Sequence, residues 1–267
     1  MRLKPYFIYI LSSLAVGSIL TLLAGNCVLA ADTLATSSQA VFSERLPILM
    51  YHYIEAPTAT TTLPGLYLNP SLFASQLQVI SQNHYHTVFM SAVAESLRSG
   101  QALAKGSVAL SFDDGYEDFY TNAFSLLKKY QAKATIYIII NRLGQPGYLT
   151  KEQIKEMADS GLVEIGSHTF NHPDLRKLKD KDAYFEINAS RRILRELSGQ
   201  PVLTFAYPFG DYKPSFFPIA SSTGYLAAVS VNPGSLQKAD NLWLLPRLRP
   251  DNLSGPAFAR WLKKWSH

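Results

Sequence analysis

Asp113 and Asp114 are adjacent carboxylates at the end of an apolar run over 107–112, and Gly115 follows them. Neighbouring side chains of a regular strand point to opposite faces, so two acids together at a strand end need a turn that redirects one of them. Gly115 permits that turn, and one carboxylate can then bind a cation while the other faces the water which the cation activates. Standing alone, Asp-Asp-Gly is also ordinary turn chemistry. A second group follows another short apolar run: His168 and His172, in His-Thr-Phe-Asn-His. Four residues apart on a helical turn, two neutral imidazoles lie on one side, near enough to share one ion. With Asp114 they offer two nitrogens and one oxygen, which leaves a tetrahedral ion an open position for water. A closed structural site would take four protein ligands, usually with cysteines, and the sole cysteine of the chain is Cys27.

The stretch 205–212 reads Phe-Ala-Tyr-Pro-Phe-Gly-Asp-Tyr. Pro208 and Gly210 impose an irregular backbone, Tyr207 and Phe209 offer flat faces, and a backbone N–H in such a turn can face a developing oxyanion. By itself the same turn reads as an aromatic plug closing a core. Tyr53, Tyr116, Tyr212 and Trp243 are further flat side chains near these groups. They suit stacking on sugar rings and equally an ordinary rim.

Elements that bring these groups together can be read from periodicity. Short apolar runs predict strands over 46–53, 86–89, 107–112, 134–140, 162–165, 203–206 and 226–231. Between them, 3.6-residue periodicity predicts helices over 70–82, 117–130, 150–160 and 181–197, the third opened by Thr150 and Gln153 in capping-box spacing. Alternation of strand and helix predicts an α/β fold, and about seven or eight such units a parallel barrel, closed or nearly so. In such barrels functional groups gather at the carboxyl ends of the strands, where Asp113, His168 and Tyr207 all fall. Segment 57–70, rich in Thr, Pro and Gly, reads as a surface loop over that end. Trp261 and Trp265, four apart among Arg260, Lys263 and Lys264, predict a helix packing an aromatic face on the barrel, with a polymer- or membrane-surface role as the second reading.

With 267 residues, 47% of them hydrophobic, the chain can bury one large core as a single catalytic domain over 46–267. Residues 1–30 have the layout of a signal peptide or N-terminal anchor: Arg2 and Lys4, an apolar run, then small residues near Ala30. Residues 31–45, rich in Ala, Ser and Thr, read as a linker. Export follows, to periplasm, cell surface or medium, with membrane association if the leader stays uncut. Cleavage after Ala30 lowers the formal charge from +5 to a modest +3, which does not argue for nucleic acid. Cys27 leaves with the leader, so no disulfide stabilises the mature chain. A monomer is the default expectation.

In order and spacing, Ser111-Phe112-Asp113-Asp114-Gly115, Ser167-His168 to His172-Pro173 and Tyr207-Pro208-Phe209-Gly210 resemble the first three motifs of the polysaccharide deacetylase (NodB-homology) family. The resemblance spans 46–253. It implies a deformed (β/α) barrel, zinc or a similar divalent ion, and a polysaccharide substrate. Residue by residue it implies Asp113 as general base, Asp114, His168 and His172 as metal ligands, and the backbone at Phe209 as part of an oxyanion hole, with Tyr207, Pro208 and Gly210 around the substrate. Two departures stand out. Ala206 occupies the position where many members carry an arginine that orients the base; Arg247 and Arg249 are the substitutes, with Arg247 favoured. The C-terminal Leu-x-His motif that supplies a catalytic acid is also absent, since His267 is the only histidine after His172. His52, in Pro47-Ile48-Leu49-Met50-Tyr51-His52-Tyr53, is the candidate acid, and this opening resembles the poly-β-1,6-N-acetylglucosamine deacetylase branch. The expected activity is removal of N-acetyl groups from poly-N-acetylglucosamine, peptidoglycan or a chitin-like polymer. The alternatives are a non-catalytic carbohydrate-binding barrel, favoured by Ala206, and an O-acetyl (xylan) esterase.

Overall fold

Strands covered on both faces need runs that are largely apolar, and the central runs of this chain are of that kind, with a few buried polar residues among them. In the computed structural model, which describes residues 40–267, they alternate with helices in the order β1 (Ser43–Arg45), β2 (Ile48–Tyr51), α1 (Pro70–Gln82), β3 (His86–Val88), α2 (Met90–Ser99) and β4 (Ser107–Phe112). Next come α3 (Phe124–Tyr130), β5 (Ala134–Ile138), α4 (Lys151–Asp159), β6 (Val163–Ser167), α5 (Asp180–Ser198) and β7 (Thr204–Ala206). The chain ends with α6 (Phe216–Ser222), β8 (Ala227–Pro233), β9 (Leu236–Lys238), β10 (Leu245–Arg247) and α7 (Gly255–Trp265).

Eight strands join in one parallel sheet, ordered β10-β8-β7-β6-β5-β4-β2, with β3 beside the first half of β4. A parallel bridge from Leu49 to Leu248 brings the sheet's ends together: Met50 N–H donates to Leu248 O and Leu248 N–H to Ile48 O, each at 2.8 Å. The result is the expected nearly closed parallel barrel. Helix α2 packs against β4 and β7, and its Met90, Val93 and Leu97 join Ile48, Ala109 and Val229 in one buried cluster. Its first N–H groups are held by β-strand side chains, Met90 N donating to Thr135 Oγ1 and Ser91 N to the Glu164 carboxylate. Thr135 and Glu164 lie early in their strands, so α2 fills the barrel from the amino ends and leaves the carboxyl ends open.

Several elements differ from the sequence reading. The linker stops before Ser43, because Ser43–Arg45 pairs antiparallel with Leu236–Lys238. Segment 1–30 and the first part of the linker lie outside the described residues, among which no helix is long and apolar enough to cross a membrane. Helix α2 escapes the periodicity because it is short, Ser-rich and preceded by Phe89, which offers no side-chain cap. The predicted helix over 117–130 opens with a π turn, Phe119–Ala123, before α3. Thr150 and Gln153 do form the capping box of α4.

Candidate active site

The chemistry-bearing residues come from the carboxyl ends of five strands. His52 follows β2, Asp113 and Asp114 follow β4, His168 follows β6, Tyr207 follows β7 and Arg247 ends β10. All therefore meet at the open end of the barrel, where His52, Asp113, Asp114, His168 and Tyr207 line a cavity of about 330 Å³ and Arg247 joins them through Asp113.

Adjacent acids reach one cavity because the backbone changes hand between them. Asp113 continues the strand, its N–H donating to Tyr51 O, whereas Asp114 has φ +75°. Aspartate is one of the few residues that tolerates this left-handed region. Gly115 continues the turn at φ +77°, where a side chain would press on Ile138 at 3.2 Å.

Asp113 is 3% exposed and is gripped by Arg247, itself 1% exposed. Both guanidinium Nη atoms donate to its two oxygens at 2.7 Å, while Nε donates to Ser230 O and Nη1 to Ser111 Oγ. Burial alone would raise the Asp113 carboxyl, but the arginine's charge and paired hydrogen bonds outweigh it and hold the acid well below the usual carboxylate range. His52 Nε2 stands 3.9 Å from Asp113 Oδ2, and burial lowers this imidazole below its ordinary value.

Asp114 Oδ1 lies 3.4 Å from His168 Nε2 and 3.5 Å from His172 Nε2, and the three donor atoms fall within 4.8 Å of one another. His168 Nδ1 is 2.8 Å from Ala206 O, which fixes its proton there and turns the Nε2 lone pair of the neutral ring toward Asp114. Ala206 thus contributes its carbonyl, not a side chain. Burial opposes charge on His168, but Asp114 and Asp113 outweigh it and raise the ring above its ordinary range. Burial, helped by the His168 charge, lowers His172 to about 4 and favours a neutral imidazole. Two imidazole nitrogens and a carboxylate oxygen converging on one point suit a divalent cation such as zinc.

The histidine pair does not lie on a helical turn. Thr169 and His172 have φ +69° and +59°, and the loop between is pinned from α5. Glu186 accepts from Phe170 N, Asn171 N and Asn171 Nδ2 at 2.7–3.0 Å, while His172 N donates to Thr169 Oγ1. Glu186 and Thr169 therefore set the ligand geometry, and neither carried a signal in the sequence.

Phe209 sits at the rim, 62% exposed with φ +60°, its ring edge-on to His172 at 4.5 Å. Gly210 N–H donates to Tyr207 O, and among the described residues Phe209 N–H donates to no other group. Tyr207, Tyr116 and Tyr148 line the cavity, along with Leu63 and Leu66 of the predicted surface loop. Tyr53 is sandwiched between Tyr67 at 4.1 Å and Tyr116 at 3.6 Å, so neither face remains for a sugar. Tyr212 stacks on Phe217, and Trp243 packs against the core; neither lines the cavity.

Such a barrel, with an Asp-His-His donor set and an arginine-held second carboxylate at its open end, has the build of a hydrolase that activates water. A family model described as polysaccharide deacetylase matches residues 100–228. YxkH of Bacillus subtilis, named for the same family, is 32% identical over 220 residues, covering 82% of this chain and 76% of its own. A poly-beta-1,6-N-acetyl-D-glucosamine N-deacetylase of Staphylococcus aureus is 26% identical over 211 residues, covering 74% and 71%. Among solved structures, the Streptococcus pyogenes deacetylase PplD in complex with acetate is similar with a TM-score of 0.76 and 33% identity, covering 83% of this chain and 98% of that one. The chain belongs to the polysaccharide deacetylase family.

Proposed function

We propose that the protein is a metal-dependent N-deacetylase that hydrolyses acetamide groups of an exported amino-sugar polysaccharide and releases acetate. One observation carries the reading: Asp113, kept ionised by Arg247, stands beside the Asp114, His168 and His172 donor cluster in a single cavity. Asp114, His168 and His172 would hold the ion. A divalent cation bound there supplies Lewis acidity, lowering the pKa of water and polarising the acetamide carbonyl.

Asp113 accepts a proton from the attacking water, and Arg247 keeps both of its oxygens aligned for that transfer. The free Phe209 N–H supports an oxyanion contact, since it needs no reorganisation to donate to the tetrahedral oxygen. His52 delivers a proton to the departing amine; burial lowers its pKa, which makes its imidazolium the stronger acid. The bidentate pair that Arg247 makes with Asp113 supports it in the role that Ala206 leaves open, and so favours a catalytic barrel over a binding-only one. A poly-N-acetylglucosamine substrate is supported by the His52 opening and by the activity named for the S. aureus relative.

Acetate release from linear N-acetylglucosamine oligomers is the direct test, with protein stripped by chelator and then restored with zinc. Release that disappears on stripping and returns on restoration is the expected outcome. Binding of oligomers without acetate release by the zinc-restored protein would refute the proposal.

A further inference from the structure

A second cleft adjoins the catalytic cavity. It has a volume of about 320 Å³ and is walled by Trp261 and Trp265 of α7, facing Val231, Pro233 and Arg249. Helix α7 buries Phe258 and Leu262, which seat it on the barrel, while Trp261 and Trp265 lie on its shoulder, half-buried. The tryptophans pack against the core, as the sequence reading had them, and the surface they leave uncovered lines this cleft. Val231 follows the buried part of β8 and Arg249 lies just beyond β10, so the cleft opens on the same face as Asp113. Val231 and Arg249 line both cavities, and Arg249 also borders a small pocket beside His52. Arg249 is exposed and makes no ion pair among the described residues.

We propose that this cleft binds the sugar residue adjoining the one whose acetamide is hydrolysed, so that the enzyme acts on a polymer in preference to a single amino sugar. The inference rests on the deacetylase reading. A pyranose ring presents apolar C–H faces and a hydroxylated edge. Indole faces take the first, and the guanidinium of Arg249, with five donors and no competing carboxylate, takes the second. The cleft's volume is at the lower end of small-ligand sites, enough for one or two sugar rings. Because the two cavities share Val231 and Arg249 in their walls, a covalently connected occupant is favoured over an independent ligand.

Kinetics on N-acetylglucosamine oligomers from dimer to hexamer test the cleft in the zinc-loaded full-length protein. In the wild type kcat/KM rises with length. In the Trp261→Ala/Trp265→Ala variant the hexamer-to-dimer ratio falls about three- to tenfold, mostly through KM. The Trp261→Phe/Trp265→Phe variant, which keeps a flat ring at each position, retains most of the ratio. In Asp113→Asn protein, hexamer addition shifts tryptophan emission. An unchanged ratio, or equal losses at every length, overturns the proposal. So does an emission shift with phosphatidylglycerol vesicles and none with hexamer, which would make the face a membrane contact. Absence of acetate from every oligomer overturns the deacetylase reading instead, and the emission measurement still reads the cleft.

Discussion

Asp113 and Asp114 are identical side chains on neighbouring residues, and their surroundings give them different chemistry. Asp113 is locked into a buried bidentate pair, whereas Asp114 faces two imidazoles. Asp113→Asn is expected to keep bound zinc, measured by atomic emission, and to lose turnover by about 10²- to 10⁴-fold. His172→Ala should lose the zinc itself. Equal acetate release by wild type and Asp113→Asn would end the assignment of the base. Arg247 offers a separate test, because removing it leaves a buried carboxylate with no counter-charge. Arg247→Met is expected to cost about 3–5 kcal/mol of stability in denaturant titrations, besides its effect on rate. A loss below about 1 kcal/mol would mean that Asp113 is already neutral or solvated.

At the scale of elements, the loops matter more than the strands that carry them. The turn after β7 holds Phe209 N–H in place through Gly210, where an added Cβ would meet Val231 Cγ2 at 2.3 Å. Gly144 has a similar φ, +73°, but nothing within 4 Å of that position. Both alanine substitutions carry the strain of a positive φ, about 1–2 kcal/mol, yet only Gly210→Ala must also shift the turn. The expected outcome is a fall in kcat of about 10- to 100-fold for Gly210→Ala and near wild-type kcat for Gly144→Ala. Similar kcat for the two variants would remove the turn from the mechanism. Glu186 illustrates the same point from a helix, since it fixes the backbone between the two histidines without touching either donor nitrogen.

Across the whole molecule, closure of the barrel brings β2 and its following loop to the rim. The peptide of Ile54 is held on both sides there: its N–H donates to Asp118 Oδ2, and its carbonyl accepts from Asn122 Nδ2. Burial raises the Asp118 carboxyl from 3.8 to about 7, and its Oδ1 has no partner among the described residues. Between those two values the unfolded chain has released this proton and the folded chain retains it. Stability therefore falls as pH rises through that window, by up to about 4 kcal/mol, and is level above it. Asp118→Asn stays neutral throughout, so the difference between wild type and variant should grow from pH 4 to pH 7 in denaturant titrations. A difference that is constant with pH would show that Asp118 titrates normally.

Much of this was legible in the sequence because it is local. A fully buried parallel strand is mostly apolar, so 107–112 announced β4 despite its two serines, and the acids and glycine after it announced a turn with chemistry. Donor types called for one carboxylate beside His168 and His172, and the choice of Asp114 over its identical neighbour Asp113 came from the family resemblance. What the sequence left undecided depends on contacts between distant parts of the chain. His168 and His172 converge through left-handed residues and Glu186, which their spacing mimicked as a helical turn. Arg247, 134 residues from Asp113, was one of two candidates until barrel closure set β10 near β4. The tryptophans of α7 line a cleft because of where the helix docks, and no periodicity encodes that. Local pattern determines what an element is, whereas packing across the barrel determines which side chains share a cavity and with what charge.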